Sequence, residues 1–265
     1  MAEPQGRAAA FFDLDKTLMA GSSGIHFGRA AFRDGLVRRR QMLGWAVDHV
    51  RFRLRGTTDE GAERLLGEVK ELLKGVPARE LARLAPDVLA GVLPRIYPQM
   101  LDEVHAHQDA GRPTFIVSAA GDELVRTLAD VLDMEGGIGT KYAVGEDELM
   151  TGELDGPFMY GEGKVEAMRD FAADHEIDLA ESWAYSDSAS DLPMLRAVGR
   201  PVAVNPDLEL AQVAHDEDGR VMRFERLGRR LAIAGATATA ATVGGLGTLL
   251  ASRRRPKRSL RNPLR

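Results

Sequence analysis

Short apolar runs alternate with stretches of helical periodicity along much of the chain. Apolar runs that are too short for a helix predict buried strands at residues 8–15, 112–119, 183–187 and 201–206. Amphipathic stretches follow them. In "GDELVRTLADVLDM", the apolar positions that share one helical face are Leu124, Leu128, Val131 and Leu132. Strands that alternate with helices predict a parallel sheet in a doubly wound, Rossmann-like α/β core.

This alternation is interrupted between residues 21 and 100. The segment has no strand pattern, and "EGAERLLGEVKELLKG" and "ARELARLAPDVLAGVL" have helical periodicity. We therefore predict an all-helical cap at 21–100, inserted into a core made of residues 1–20 and 101–225. The Gly-rich stretch 136–160 has a hairpin-like turn near "GED".

A hydrophobic segment at 229–252 and a basic tail at 253–265 follow the core. Residues 231–251 carry no charge, and as a helix they would extend about 31 Å, enough to cross a bilayer core. Ala, Gly and Thr dominate the segment, and they insert into membranes more weakly than Leu or Ile. Three interpretations stay open: a C-terminal hydrophobic helix that spans the membrane, a helix that lies on its surface, or a tail.

The charge distribution is uneven along the 265 residues. The net charge is −5, yet residues 226–265 contain ten Arg or Lys and no Asp or Glu, so the preceding body is acidic. There is no cysteine, which excludes disulfides and thiol chemistry. The N-terminal "MAEPQGR" lacks the apolar core of a signal peptide. We expect a cytoplasmic protein, attached to the membrane if the C-terminal segment inserts, and no nucleic-acid partner.

Polar side chains cluster after the predicted strands. Asp13 and Asp15 end the first run, Ser118 ends the second, and Asp187 ends a later one. Asp191 follows shortly after, and Lys164 begins a helix after "GEG". In open parallel sheets, sites form beyond the carboxyl ends of the strands, so these groups are expected to meet.

The types of these residues indicate phosphate chemistry. Four crowded carboxylates repel one another unless a divalent cation lies among them, and Mg²⁺ is usually held by carboxylates, waters and phosphate oxygens. A hydroxyl and an ammonium group suit a phosphate ligand. Such a site favours phosphoryl transfer, in which a carboxylate can attack the phosphate to form an aspartyl-phosphate.

Four segments carry a family resemblance. In order, "FFDLDKTL", "FIVSAAGDELV", "GEGKVEAM" and "YSDSASDLPML" resemble the four motifs of the haloacid dehalogenase superfamily phosphatases. The likeness covers roughly residues 8–225. It is greatest to the branch, subfamily IB, that includes phosphoserine phosphatase, and the helical insertion resembles the cap of that branch.

The resemblance implies a role for each matching residue. Asp13 would be the nucleophile and a Mg²⁺ ligand, and Asp15 would be the general acid and base, binding the metal through its backbone carbonyl. Asp187 would be a further ligand, and Asp191 would support the metal directly or through Lys164. The residues expected to bind the substrate are Ser118, Ala119, Lys164 and Thr17, of which Thr17 would help to orient Asp15.

Two details of the motifs refine the function. "DKT" also occurs in P-type ATPases, but here it begins at Asp15 and continues with Leu18 rather than Gly, so an acid/base group stands where those pumps have Thr. That difference favours hydrolysis. "MAGSSGIHF" lacks the glutamate that phosphoserine phosphatases carry after the first motif, and "SAAG" replaces their Ser-Gly-Gly, which argues against phosphoserine as the substrate. His26, in the same stretch, would either face the substrate or pack within the cap.

We therefore predict a Mg²⁺-dependent phosphatase that hydrolyses a small phosphomonoester through an aspartyl-phosphate. Two alternatives stay open. One is a phosphotransferase with the same chemistry, and the other is a non-hydrolytic, membrane-associated sensor of a phosphorylated ligand.

Overall fold

The computed structural model describes residues 6–37 and 59–224. A six-stranded sheet forms the centre of the core, in the order β3-β2-β1-β6-β7-β8, and every pairing in it is parallel. Its strands are β1 (Ala10–Phe12), β2 (Thr114–Gly121), β3 (Gly136–Thr140), β6 (Trp183–Ser186), β7 (Arg200–Val204) and β8 (Arg220–Met222). Two further strands, β4 (Tyr142–Val144) and β5 (Met150–Leu154), pair antiparallel as a hairpin.

Helices fill the chain between β1 and β2 wherever the structure describes it. They are α1 (Ser23–Arg33), α2 (Asp59–Leu73), α3 (Ala78–Ala82), α4 (Ala85–Val92), a 3-10 turn (Leu93–Arg95) and α5 (Pro98–Asp109). The later helices are α6 (Asp122–Val131), α7 (Glu162–Asp174), α8 (Leu192–Arg196) and α9 (Leu208–Asp216). Two 3-10 turns, Leu179–Glu181 and Ala189–Asp191, flank β6.

Both faces of the central strand are buried, because successive side chains of a strand point to opposite faces. The Phe11 ring stacks on Phe115, with centroids 5.6 Å apart, and the Phe12 ring stacks on Tyr185 at 4.5 Å. Phe115 in turn meets Phe171 of α7 edge-on. A parallel sheet covered on both faces explains why the predicted strands are continuous apolar runs rather than alternating ones.

The predicted doubly wound core is confirmed, and so is the hairpin after residue 140. Two strands were not predicted: β3, whose sequence is "GGIGT", and β8. The first strand ends at Phe12, before both aspartates, while β2 continues past Ser118 to Gly121. The predicted face of α6 is wrong in part, since Val125, Leu128 and Ala129 are buried and Val131 is 51% exposed.

Main-chain hydrogen bonds join the helical insertion to the core at two places. At its base, the N–H of Ala20 donates to the carbonyl of Arg95, and the N–H of Tyr97 donates to the carbonyl of Leu18. Farther out, Met150 of the hairpin both accepts from the N–H of Gly75 and donates to the carbonyl of Val76. The division into a core and a cap at residues 21–100 stays a prediction, since Met1–Met222 forms one compact unit.

The second compact unit is Arg223–Arg265, of which the structure describes only the first two residues. Within residues 6–37 and 59–224, no helix is both long enough and apolar enough to cross a bilayer. The hydrophobic segment at 229–252 and the basic tail at 253–265 lie outside the described residues.

Candidate active site

Three neighbouring strands place polar side chains at one edge of the sheet. Asp13 follows β1, Asp187 follows β6, and Ser118 lies within β2, beside β1. The N–H of Asp13 donates to the carbonyl of Tyr185 at 2.9 Å, so the main-chain ladder between β1 and β6 continues up to the site. All three side chains are buried, Asp13 and Asp187 being 7% exposed. The sheet therefore brings together groups that are far apart in sequence.

Lys164 reaches the same place from the first turn of α7. Its side-chain nitrogen Nζ lies 2.6 Å from Oδ1 of Asp13 and 2.8 Å from Oδ2 of Asp191. The Oδ2 of Asp191 also accepts a hydrogen bond from the Ser186 hydroxyl at 2.7 Å. Lys164 is 3% exposed, so this is a buried ammonium group held by two buried carboxylates.

The turn before α7 needs glycine for this approach. Gly161 precedes the helix with φ +54°, a conformation that favours glycine. A Cβ on Gly163 would lie only 2.0 Å from the carbonyl oxygen of Phe158, which no side chain tolerates. These two positions let the first turn pack closely and direct Lys164 inward, which gives the glycines of "GEGK" a structural reason.

Burial determines the ionisation of the cluster. Burial opposes the charge on Lys164, but Asp13 and Asp191 outweigh it and raise the pKa of the ammonium group. Burial raises the pKa of Asp13 to about 6 even though Lys164 opposes the rise. Burial likewise raises the pKa of Asp187 to about 8, opposed by Lys16, whose Nζ lies 3.6 Å from Oδ2 of Asp187. Burial therefore disfavours the ionised forms of both carboxylates in the absence of a further cation.

Asp15 is held differently from Asp13. Its carboxylate accepts hydrogen bonds from the Ser22 hydroxyl and from the N–H of Ser23, both at 2.8 Å. Ser23 is the first residue of α1, so Asp15 lies at the positive end of a helix dipole. The two aspartates do not continue the strand, because β1 ends at Phe12 and the chain then turns.

The two serines were not identified from the sequence. Adjacent serines before a helical pattern are typical of a helix N-terminus, but the partner that they bind, Asp15, lies seven and eight residues earlier. Thr17 was predicted to orient Asp15. Its hydroxyl is buried and forms no hydrogen bond within the described residues, so Ser22 and Ser23 take the orienting role instead.

The predicted phosphate-binding residues lie at this edge as well. The Ser118 oxygen accepts the N–H of Ala120 at 3.2 Å, which leaves the hydroxyl proton available to a ligand. Ala119, the next residue, is exposed, and its carbonyl accepts a hydrogen bond from Thr140 of β3.

Of the four residues predicted to bind the metal, Asp15 was expected to use its backbone carbonyl and Asp191 to act directly or through Lys164, and these assignments stay predictions. Among the described residues, no three His, Asp or Glu side chains are arranged to hold a metal ion. The carboxylate of Asp15 is engaged by the serines, and that of Asp191 by Lys164 and Ser186. Asp13 and Asp187 remain, and two buried carboxylates with raised pKa values fit a divalent cation that completes its shell with waters and a phosphate.

Comparison with known proteins agrees with the family resemblance of the four sequence motifs. A family model described as haloacid dehalogenase-like hydrolase matches residues 10–196. The "Inhibition of morphological differentiation protein" of Streptomyces azureus is 37% identical over 221 residues, covering 83% of this chain and 79% of that protein. Phosphoserine phosphatase SerB1 of Mycobacterium tuberculosis is 34% identical over 255 residues, covering 94% and 82%.

A solved structure has the same architecture. The crystal structure of a protein of unknown function from Bordetella pertussis Tohama I superposes with a TM-score of 0.69 at 28% identity. The match covers 82% of this chain and 98% of that one. The likeness therefore includes the helical insertion between β1 and β2 as well as the sheet.

Proposed function

The chain belongs to the haloacid dehalogenase-like hydrolase family, as a phosphatase related to the phosphoserine phosphatases, and we propose that it hydrolyses a small phosphomonoester through an aspartyl-phosphate on Asp13. The observation that carries this proposal is the contrast between its two neighbouring aspartates. Asp13 is buried against the Lys164 ammonium group, while Asp15 is bound by the start of α1.

Asp13 is the better placed nucleophile. Its Oδ1 is occupied by Lys164 at 2.6 Å, which fixes the carboxylate and leaves Oδ2 to attack phosphorus. The attack forms a bond between Oδ2 and phosphorus and breaks the bond from phosphorus to the ester oxygen. Lys164 and the Ser118 hydroxyl supply a cation and a hydrogen-bond donor for the phosphoryl oxygens, which is the positioning that phosphoryl transfer requires.

Asp15 is suited to move the proton. In its protonated form it gives a proton to the departing ester oxygen, so that the alcohol leaves neutral. The resulting carboxylate then takes a proton from the water that attacks phosphorus, which releases phosphate and restores both aspartates. Ser22 and Ser23 hold the carboxylate in one orientation during both steps.

We also propose that the protein uses Mg²⁺, held by Asp13 and Asp187. The raised pKa values of these two carboxylates support the assignment, because a divalent cation would favour their ionised forms. When bound, the ion would neutralise charge on the phosphoryl oxygens.

Trapping of the phosphoenzyme tests the nucleophile, because oxygen isotopes report only which atom the water attacks. In a single turnover of a phosphomonoester in heavy-oxygen water, hydrolysis of the aspartyl-phosphate at phosphorus puts the label into phosphate. Repeated turnovers also leave no label in Asp13 unless water attacks the acyl carbon. We therefore expect trapping of the phosphoenzyme, by borohydride reduction and peptide mass analysis, to modify Asp13. Modification of Asp15, or of neither, would contradict the proposal.

Two variants and one product analysis complete the test. Asp13→Asn should abolish turnover and trapping, whereas Asp130→Asn, an exposed position on α6, should retain both.

Product analysis with competing alcohols separates hydrolysis from transfer. Phosphate as the main product supports a phosphatase, and a new phosphomonoester would indicate a phosphotransferase. Ligand binding without any turnover would favour the sensor.

A further inference from the structure

The leaving group of the substrate must lie beside Asp15, because Asp15 exchanges a proton with the ester oxygen in the proposed function, on which this inference rests. The region next to Asp15 belongs to α1 and to the end of the helical insertion. Ser23 of α1 donates to Asp15, and His26 lies one helical turn farther along. The chain leaving the insertion is fixed there too, since the N–H of Ala20 binds the carbonyl of Arg95.

His26 packs against Gly91 of helix α4, where the absence of a side chain lets the ring approach the backbone. A Cβ on Gly91 would lie 2.1 Å from Nδ1 of His26, so the imidazole ring rests directly on the α4 backbone. Gly91 and Arg95 are four residues apart, on α4 and the 3-10 turn that continues it, so they lie on neighbouring turns. The ring thus stands where α1 and the end of the insertion meet.

Two arginines surround this ring. Arg29 follows His26 by three residues on α1, and Arg95 extends from the 3-10 turn. Both are close enough to act on His26, whose pKa is lowered first by burial and then by Arg95 and Arg29, while Asp15 opposes the change. Both guanidinium groups and the Asp15 carboxylate are therefore within electrostatic range of the His26 ring.

No carboxylate is paired with either arginine within the described residues. The next arginine along α1, Arg33, does have a partner, Asp87, at 3.8 Å. Arg29 and Arg95 are exposed, and Asp15 already accepts two hydrogen bonds from the serines. Among the described residues, the charged groups that act on the His26 ring are therefore two guanidinium groups and one carboxylate, that of Asp15.

We propose that His26, Arg29 and Arg95 bind an anionic group on the leaving group of the substrate and so determine its specificity. An anion there would receive charge-assisted hydrogen bonds from the two guanidinium groups. An ammonium group at the same position would be repelled. The preferred substrate is therefore a phosphomonoester whose alcohol carries a second negative charge and no positive charge close to the ester oxygen.

Three substrates of nearly equal size test the proposal: phosphoglycolate, ethyl phosphate and phosphoethanolamine, whose alcohols carry a carboxylate, no charge and an ammonium group. We expect kcat/KM to decrease in that order, with about tenfold between the first two, as one charge-assisted hydrogen bond provides. In Arg29→Gln/Arg95→Gln the ratio of phosphoglycolate to ethyl phosphate should fall towards one. Arg33→Gln, one turn along α1 and paired with Asp87, should retain it.

The outcomes are distinguishable from a failure of the proposed function. Equal kcat/KM for the three substrates, or a preference for phosphoethanolamine, would overturn the anion site while leaving the phosphatase intact. No turnover of these three or of p-nitrophenyl phosphate would instead contradict the proposed function. Should the double variant fold poorly by circular dichroism, the order of the three substrates with the unmodified chain still decides the question.

Discussion

Lys164 Nζ lies 2.6 Å from Oδ1 of Asp13, and both side chains are buried. A carboxylate in such a place is unfavourable without a partner, and an ammonium group in the same place is too. Asp191 binds the other side of the ammonium group and is itself held by Ser186. The pair is thus part of a buried network, in which each charge fixes the position of the next.

Replacing Lys164 should damage both catalysis and folding. Lys164→Met leaves Asp13 and Asp191 buried without their cation, a loss of about 3 kcal/mol in the free energy of unfolding. We expect kcat to fall by about 10²-fold or more, since one preorganised charge at the phosphoryl group is removed. Denaturant unfolding and steady-state kinetics measure the two effects. Lys141→Met, at an exposed position, is the matched control and should keep both stability and kcat. A near-normal kcat in Lys164→Met would contradict the role given to Lys164.

Replacing Asp187 should preserve or raise the stability of the metal-free protein and should weaken its binding of Mg²⁺. Burial raises the pKa of its carboxylate to about 8, so the ionised form is a cost to the folded protein without a divalent cation. Asp187→Asn should therefore be at least as stable as the original chain in chelator, yet gain little stability from added Mg²⁺. Calorimetric titration should show affinity for Mg²⁺ reduced by about tenfold or more.

The control for this experiment is Asp133→Asn. Asp133 is exposed and has φ +55°, a conformation that asparagine also adopts readily. This variant should bind Mg²⁺ like the original chain. If Asp187→Asn bound Mg²⁺ with unchanged affinity, the pair of Asp13 and Asp187 would not be the metal site.

The sequence predicted the elements whose patterns are strong and missed those shaped by contacts. Strand β3 reads "GGIGT", and three glycines in five residues indicate a loop. The structure gives the reason for two of them: a Cβ on Gly137 would lie 2.7 Å from Val125, and one on Gly139 would lie 2.5 Å from the α-carbon of Asp122. Helix α6 packs so closely on this strand that side chains are excluded, and no local pattern contains that information.

The candidate site divides in the same way. Motif spacing indicated that Asp13, Lys164, Asp187 and Asp191 would meet, because strand ends at one edge of a parallel sheet are neighbours. It did not indicate which carboxylate binds which partner. Whether the Asp15 carboxylate faces Asp13 or the start of α1 depends on the turn after β1 and on Ser22, neither of which has a distinctive pattern.

His107 should make the free energy of unfolding decrease as the pH falls below 6.5. Its ring is buried, with Nδ1 accepting from Nε of Arg112 and Nε2 2.8 Å from the Tyr185 hydroxyl. Burial, followed by Arg112, lowers the pKa of His107 to about 4, against 6.5 for an unperturbed imidazole. The unfolded chain binds more protons between these values, so this contribution is complete above pH 6.5 and is lost as the pH falls towards 4.

The measurement compares unfolding free energies at pH 7 and pH 5 in chelator. Relative to His107→Gln, the original chain should lose about 1–2 kcal/mol over this interval. Titration of Asp13 and Asp187 is common to both proteins and cancels in the difference. His215→Gln, at the exposed end of α9, should follow the original chain. Parallel pH profiles for His107→Gln and the original chain would show that His107 is not the titrating group.

A methyl group at Gly163 should displace Lys164. The new Cβ would lie 2.0 Å from the Phe158 carbonyl oxygen, so the first turn of α7 must move, and it carries Lys164 with it. Gly163→Ala should lose about 1–3 kcal/mol in the free energy of unfolding, as overpacked positions do. It should also lower kcat, because the ammonium group leaves its position against Asp13.

Gly67→Ala is the control. Gly67 lies inside α2 with open space around it in the described structure, so the variant should gain about 0.5–1 kcal/mol in the free energy of unfolding. Gly163→Ala with reduced stability but full kcat would mean that the turn before α7 does not set the position of Lys164.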